Sequence, residues 1–484
     1  MKIKVGMKKM NMSQIAKICG CQVTMIGSGA PTDFDSVCTD SREAGEYSLF
    51  LALRGEKVDG HSYILSALGN GCTCVLCEYL PDSLKNRGLC FCALIVPDVM
   101  KALGAIAKAY GRHTGQKKIA VTGSVGKTST KEMISSVLRE QYRVHKTEGN
   151  HNSTLGMPLS LLAADKNTQV SVLEMGMSGM GEIEFMSRIA EPDIAVITNI
   201  GSAHMEMLGS RENICSAKME VVQGMPAGGK LILNGDEPLL CLMKGSSYEP
   251  IYVSVVSRDA DYRAMNIRYT AHGTIFDMIY RRRVVTNIEI PVLGEHHVYN
   301  ALFAFAVGVE MGMPEDAIRR GLLNFRNTGM RQRIIDWEGV TILEDCYNAS
   351  PESMSAALRV LRSMSSQLGG RRIALLGDMK DLGPDSADMH RAVGAMAADA
   401  DLDLLVTYGD LAVDIALEAV MHGVPRERVI VMPESKGKTV TANILRENLR
   451  RGDCLLVKAS RAMAMEDILT LLKQGKPGEG AQEV

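Results

Sequence analysis

Short β-branched and leucine-rich runs alternate with helix-length amphipathic stretches over most of the chain. From Lys118 to about Asn327 the runs KIAVTG, VSVLEMG and DIAVITNIG are each followed by a helical pattern, which predicts βαβ units and a largely parallel sheet. The last third repeats this logic in VTILEDCY, RRIALLGDM, LDLLVTYGD, RVIVM and DCLLVKAS, predicting a second open α/β sheet of Rossmann-like type. Residues 1 to about 112 mix short helices with the apolar runs SLFLALRG, TCVLCEYL and CFCALIVPD, and end at the polar GRHTGQKK, which reads as a linker. The pattern therefore predicts an α/β protein of three domains: 1–112, 113–327 and 328–484. The final QGKPGEGAQEV, residues 474–484, reads as a disordered tail.

Composition narrows the class. A chain of 484 residues exceeds the roughly 250–300 at which one hydrophobic core stops growing, in keeping with several domains. The net charge of -2, with acidic and basic residues interspersed, argues against nucleic acid or an anionic membrane as the default partner. No uncharged apolar run reaches the roughly 18 residues of a membrane span, and MKIKVGMKKMNMSQIAK lacks the apolar stretch of a secretion signal, so a cytoplasmic address is expected. The 12 cysteines lie mostly inside apolar runs. Cys72, Cys74, Cys77, Cys90 and Cys92 cluster, but their spacing is poor for zinc, and they read as small buried hydrophobes in a reducing compartment.

The stretch AVTGSVGKTSTKEM carries the first chemistry. A phosphate loop needs inward-facing backbone amides, glycine where a side chain would block them, a lysine for the terminal phosphates and a hydroxyl for magnesium. Thr122, Gly123, Ser124, Val125, Gly126, Lys127, Thr128 and Ser129 supply these between a strand pattern and a helix pattern. Val121 departs from the usual motif, which has glycine there; an ordinary glycine-rich turn is the plain alternative.

Ligands in open parallel sheets sit beyond the carboxyl ends of the strands. Glu174 ends VSVLE and His204 follows AVITNIGSAH, so both are expected to face the phosphates, Glu174 as an oxygen ligand of magnesium and His204 as a less usual one. Lys218 shares a helix face with Ile214, Val221 and Val222. On pattern alone it reads as a stem along the apolar face with its charge at the rim, against the alternative of a buried, nucleophilic amine.

TGSVGKTSTKEM, EGNHNSTLGMPLSL, LEMGMSGMGEI, VITNIGSAHMEMLGS, AKMEVV, LNGDEP, GEHHVYNALFAFAVG, TGMRQR, DCYNASPESM, LLGDMKDLG and VKASRAMAMEDIL resemble, in order, segments of the Mur ligases of peptidoglycan synthesis, and within them the MurF type. DSREAGEYSLFLALRGEKVDGHSYI resembles the family's uridine-diphosphate substrate segment. The D-N-P-R segment of the ligases that add the third peptide residue is absent. The resemblance implies an ATP-dependent ligase, expected to be a monomer, with ATP, two magnesium ions, UDP-N-acetylmuramoyl-tripeptide and D-alanyl-D-alanine as its small-molecule partners. A sister ligase adding another amino acid, a polyglutamate-type ligase and a non-catalytic nucleotide-binding scaffold are the competing readings.

The resemblance also assigns roles. Lys127 and the loop backbone would hold the β- and γ-phosphates, with Thr128 and Glu174 on magnesium and His204 in the same metal shell. Lys218 would react with carbon dioxide to give a carbamate ligand for the second ion. His296 and Asn300 would lie near adenine, Arg331 would reach the γ-phosphate, and Asp345 the ribose or the domain junction. Asn348, Ser350, Lys458 and Arg461 would line the dipeptide side, and Ser41, Arg42, Asn150 and Asn152 the UDP-sugar peptide. Two departures stand out: His297 in H-H-x-x-N where the family commonly has H-N-x-x-N, and Ala459 in KASR where it has glycine, which adopts positive φ more cheaply. Activation of a carboxylate as an acyl phosphate requires exclusion of water, so the third domain is expected to close about a hinge at 327–330.

Overall fold

The computed structural model describes residues 2–476, apart from 7–9, 56, 85–86, 203, 244–247, 271–272, 328, 330 and 381. The expected tail beyond 476, and Thr328 and Met330 of the expected hinge, lie outside the described residues. The chain packs as two compact units, one of Met1–Thr122, Gln141–Val196 and Ala217–Leu231, the other of Gly123–Glu140, Ile197–Ser216 and Ile232–Val484.

The N-terminal region is a six-stranded sheet in the order Lys2–Lys4, Ser36–Cys38, Ser48–Leu51, Cys74–Cys77, Phe91–Ile95, Val23–Ile26. Its inner strands are parallel and its two edge strands antiparallel. SLFL and CVLC are buried at every position, the composition of parallel strands covered on both faces. Cys74 and Cys77 therefore stand on opposite faces of one strand, which prevents them from sharing an ion. Cys74 lies opposite Cys92, with the sulfurs 3.4 Å apart. Burial pushes the Cys72 thiol up to about 11 and Cys77 up to about 12, away from the thiolate form that binds metal.

The segment read as a linker is regular structure. The helix Val99–Thr114 runs through Gly111, whose missing Cβ lets Leu161 approach, and ends at Gly115 with φ 65°. The strand Lys117–Thr122 follows at once. Polarity there reflects a helix C-terminus with Arg112 and His113 in its last turn, not a flexible connection.

The central sheet has nine strands in the order Val144–Lys146, Val170–Glu174, Lys117–Thr122, Ile194–Ile197, Lys230–Asn234, Ile251–Ser254, Tyr262–Thr270, Gly273–Tyr280, Arg283–Ile290. KIAVTG, VSVLEMG and DIAVITNIG form strands as expected. The last three strands pair antiparallel, an addition to the parallel pattern. The hairpin turn places Arg281 and Arg282 at φ 46° and 61°, the geometry that matches strand twist across a two-residue turn.

All five apolar runs of the last third become strands, in a six-stranded sheet ordered Arg333–Trp337, Val340–Asp345, Cys454–Lys458, Arg372–Gly377, Leu404–Tyr408, Val429–Met432. Only Arg333–Trp337 is antiparallel to its neighbour. Period-two alternation divides Cys454–Lys458 between two cores: Cys454 and Leu456 join helices Pro351–Leu368 and Ala412–Met421 on one face, Leu455 and Val457 join helices Gly437–Asn448 and Glu466–Leu472 on the other. No helix among the described residues is long and apolar enough to cross a membrane.

Candidate active site

The loop after Lys117–Thr122 has the shape its sequence requires. Gly123 adopts φ 146°, and a Cβ there would fall 1.9 Å from Thr198 Oγ1. Gly126, at φ 84°, caps the helix Lys127–Arg139. Both positions exclude an ordinary side chain, the first by contact and the second by backbone strain.

The loop is braced by the end of the neighbouring strand. Thr198 Oγ1 donates to the Val125 carbonyl at 2.6 Å, and Asn199 Nδ2 donates to the same oxygen at 3.1 Å. In return Asn199 Oδ1 accepts from Val125 N at 2.8 Å, and its backbone carbonyl accepts from Ser124 N at 3.1 Å. These two loop amides thus serve Asn199. The first bond of the helix runs from Thr130 N to Gly126 O, so the amides of residues 127–129 precede it, where helix N-termini hold anions. Lys127 Nζ folds back onto the carbonyls of Gly123, at 2.7 Å, and Ser124, at 3.2 Å, within reach of a phosphate that would displace it.

Sequence reasoning missed Thr198 and Asn199, although both end the apolar run AVITNIG. It also missed Glu352, whose Oε1 accepts from both the amide and the hydroxyl of Ser202 at 3.0 Å, while Gly201 N donates to Ser124 Oγ at 2.9 Å. These bonds tie the start of the helix Pro351–Leu368 to the loop after Ile194–Ile197.

Glu174 is buried at the end of its strand, opposite Val121 in the parallel register. Asn152, expected on the UDP-sugar peptide, donates its Nδ2 to Glu174 Oε1 at 2.8 Å and lies against Gly176. Asn150 is exposed. Lys218 is 1 % exposed in the helix Arg211–Met219, so the rim reading that pattern alone favoured gives way to burial. His204 takes φ 69°, a costly conformation for a non-glycine residue, as the cap of the short helix Met205–Leu208.

Asn300 and Thr130 meet: Thr130 Oγ1 donates to Asn300 Oδ1 at 2.8 Å, which places this helix Glu295–Glu310 against the first turn after the loop. His297 sits below, with Asn300 Nδ2 at 3.2 Å and Gln332 Oε1 at 3.0 Å. Its ring lies 4.3 Å from that of His296. Burial pushes His296 down to about 4 and His297 well below the usual range. Both are neutral imidazoles at ordinary pH.

The residues expected on the dipeptide side largely hold one another. Lys458 Nζ donates to Asp345 Oδ2 at 2.8 Å and to the Asn348 carbonyl at 2.9 Å. Ser350 and Ser353 form a reciprocal capping box on the helix Pro351–Leu368. Arg461 pairs with Glu466, and the Arg331 guanidinium lies 4.0 Å from the centre of the Tyr347 ring. Ala459 is not among the residues with positive φ, so the glycine-to-alanine departure costs no backbone strain. In the N-terminal region Ser41 is buried and accepts at its carbonyl from Asn70, whereas Arg42 is exposed and its hydrogen bonds to Asp40 hold that carboxyl well below the usual range.

The chemistry of the residues fits the expected ligands. A loop closed to side chains, a helix N-terminus and a lysine ammonium suit a nucleotide's phosphates; a threonine hydroxyl such as Thr128 and a carboxylate such as Glu174 are, each taken by itself, hard oxygens of the kind that magnesium prefers.

Three segments match domains of one family: residues 33–110 the Mur ligase family catalytic domain, 121–308 the Mur ligase middle domain, and 330–461 the Mur ligase glutamate ligase domain. The chain is 41% identical over 441 residues to UDP-N-acetylmuramoyl-tripeptide--D-alanyl-D-alanine ligase of Bacillus subtilis, covering 90% of this chain and 93% of that one. It superposes on MurF from Acinetobacter baumannii with TM-score 0.87 and 28% identity, covering 97% of this chain and 100% of the other. MurF from Thermotoga maritima, solved in complex with ADP, gives TM-score 0.80 and 27% identity over 90% of this chain and 97% of its own. Loop, sheet order and similarity along nearly the whole length agree: the chain belongs to the Mur ligase family, and within it to the MurF type.

Proposed function

We infer that this enzyme joins D-alanyl-D-alanine to UDP-N-acetylmuramoyl-tripeptide with cleavage of ATP to ADP and phosphate. The observation that carries the reading is the built phosphate loop, with Gly123 closed by Thr198, in a chain 41% identical to a ligase of that name.

A carboxylate is a poor electrophile. Its attack on the γ-phosphate of ATP releases ADP and leaves an acyl phosphate, whose phosphate is a good leaving group. Such transfer demands mainly positioning and charge neutralisation. We assign Lys127 to the β- and γ-phosphates, moving from the Gly123 and Ser124 carbonyls that it now contacts. Arg331, now over Tyr347, is assigned to the γ-phosphate, Asn300 with His296 to adenine, and Asp345 to the ribose. The neutral amine of D-alanyl-D-alanine then attacks the acyl carbon, and the tetrahedral intermediate expels phosphate while its nitrogen gives up a proton. Asn348, Ser350, Lys458 and Arg461 are assigned to that dipeptide, and Ser41, Arg42, Asn150 and Asn152 to the UDP-sugar peptide.

Thr128, Glu174 and His204 are the residues that would hold magnesium, which when bound neutralises phosphate charge. Lys218, at 1% exposure, is assigned to add to carbon dioxide as its amine, which would release a proton and give a carbamate oxygen able to hold a second ion. A monomeric state, the absence of a nucleic-acid partner and a cytoplasmic location complete the reading, the last suited to twelve free cysteines.

The test is incubation with ATP, magnesium, D-alanyl-D-alanine and either the lysine- or the diaminopimelate-containing UDP-tripeptide, read by mass spectrometry. A product one dipeptide heavier, with matching phosphate release, is expected. Product formed only with a single amino acid as the amine would overturn the reading in favour of a sister ligase.

A further inference from the structure

The four residues Thr130, Asn300, His297 and Gln332 form a chain of hydrogen bonds in which each donates to the next. The Thr130 hydroxyl donates to Asn300 Oδ1 at 2.8 Å, Asn300 Nδ2 to His297 Nδ1 at 3.2 Å, and His297 Nε2 to Gln332 Oε1 at 3.0 Å. An amide nitrogen only donates and an amide oxygen only accepts, so the direction fixes His297 as the neutral tautomer with its proton on Nε2. Asn300 and His297 are buried, at 4% and 1% exposure, so neither amide nor ring has water as a substitute partner.

The two ends of the chain differ in kind. Thr130 belongs to the first turn after the phosphate loop, and Asn300 Oδ1 lies 3.6 Å from where a Cβ on Gly126 would stand. Gln332 precedes the strand Arg333–Trp337 and adopts φ 48°, a conformation a glutamine holds only when its surroundings enforce it. His297 is the side chain that bridges the two, with one ring nitrogen on Asn300 and the other on Gln332.

We propose that His297 is a positioning residue that fixes the amide of Asn300 beneath the phosphate loop and couples it, through Gln332, to the segment entering the C-terminal sheet. The proposal rests on the nucleotide-binding reading above and deepens it. Nucleotide affinity then depends on a residue that touches no nucleotide, and the segment at Gln332 is set differently when Asn300 is engaged.

Calorimetric binding of ADP to the full chain tests this, alongside melting temperatures and the kcat and KM for ATP. His297→Leu removes the acceptor, and Kd for ADP and KM for ATP rise about ten-fold, the size expected when a buried donor loses its partner. His297→Asn still accepts from Asn300 and stays within about two-fold. Gln332→Ala raises Kd about three-fold in the parent chain and by a clearly smaller factor in the His297→Asn background, where the contact of Gln332 with His296 is what is left, the non-additivity of a coupled pair. A purely structural His297 gives instead lower melting temperatures with Kd unaltered, and that outcome, or additive effects of the two substitutions, overturns the proposal. Should His297→Leu fail to fold, the His297→Asn and Gln332→Ala cycle decides alone. Normal ADP binding by the parent chain without ligation product would defeat the functional reading while the His297 ratios still stand; no ADP binding at all would defeat both.

Discussion

The ammonium of Lys458 lies 2.8 Å from the carboxylate of Asp345, with side-chain exposures of 2% and 12%. Parallel register puts the two directly opposite at the ends of the strands Cys454–Lys458 and Val340–Asp345. Removing one partner leaves a buried charge uncompensated, so Lys458→Ala is expected to lower unfolding free energy by about 3–5 kcal/mol in urea titration. If Lys458 instead serves mainly to hold the dipeptide, stability stays close to that of the parent and KM for D-alanyl-D-alanine rises.

Gly123→Ala places a methyl against Thr198 Oγ1, 1.9 Å away, at a φ of 146°. The loop must shift, and nucleotide binding is expected to fall below detection in calorimetry while circular dichroism stays native. Thr198→Ala keeps φ unstrained but removes the 2.6 Å bond to Val125, so it weakens binding by a smaller factor. Equal affinity for ADP in Gly123→Ala and the parent would show that the loop holds no phosphate.

Lys127→Met keeps the length of the side chain and deletes its charge. Loss of one preorganised transition-state donor costs about a hundred- to a thousand-fold in kcat, measured as ATP-dependent phosphate release with both substrates present. Retention of more than a tenth of the rate would exclude Lys127 from the transferring phosphate.

Lys218 is 1% exposed, and its proposed carbamate is directly visible. In 13C-bicarbonate the parent enzyme is expected to show a protein-bound carbamate carbon by NMR, absent in Lys218→Ala together with most ligase activity. A fully active Lys218→Ala enzyme would remove the modification from the reaction.

Burial pushes His296 down to about 4 in the folded chain, from 6.5 for a free imidazole, and is also the main cause that holds His297 well below the usual imidazole range. The unfolded chain therefore takes up protons first as pH falls. Their contribution to stability is complete above about 6.5 and declines as pH falls, through about 4 for His296. Urea midpoints measured from pH 7 to pH 4.5 should fall, and less steeply in His297→Asn. A flat profile would place accessible, ordinary histidines at both 296 and 297.

Much of this site was legible because its residues follow one another in the chain. The loop from Thr122 to Ser129 needs only its own glycines, lysine and hydroxyls between a strand and a helix, and the structure builds those flanks. Glu174 was legible as a strand-end residue in a parallel sheet. Thr198, Asn199 and Glu352 were not, because a threonine, an asparagine or a glutamate at the end of an element looks the same whether it braces a loop or faces water. The linker expected at 111–118 failed for a related reason: a helix C-terminus and a flexible connection share polar residues and glycine, and only the packing of Gly111 on Leu161 separates them.

Period and spacing by themselves determined the α/β class, five of the six strands of the C-terminal sheet and the phosphate loop, because these depend on residues within a few positions of each other. Tertiary structure alone decided who pairs with whom: Asn152 with Glu174, Lys458 with Asp345, and His297 with Asn300 and Gln332. Those partnerships arise from strand register and helix packing between distant segments, and a buried polar group takes its role from the one partner that packing brings within hydrogen-bond reach.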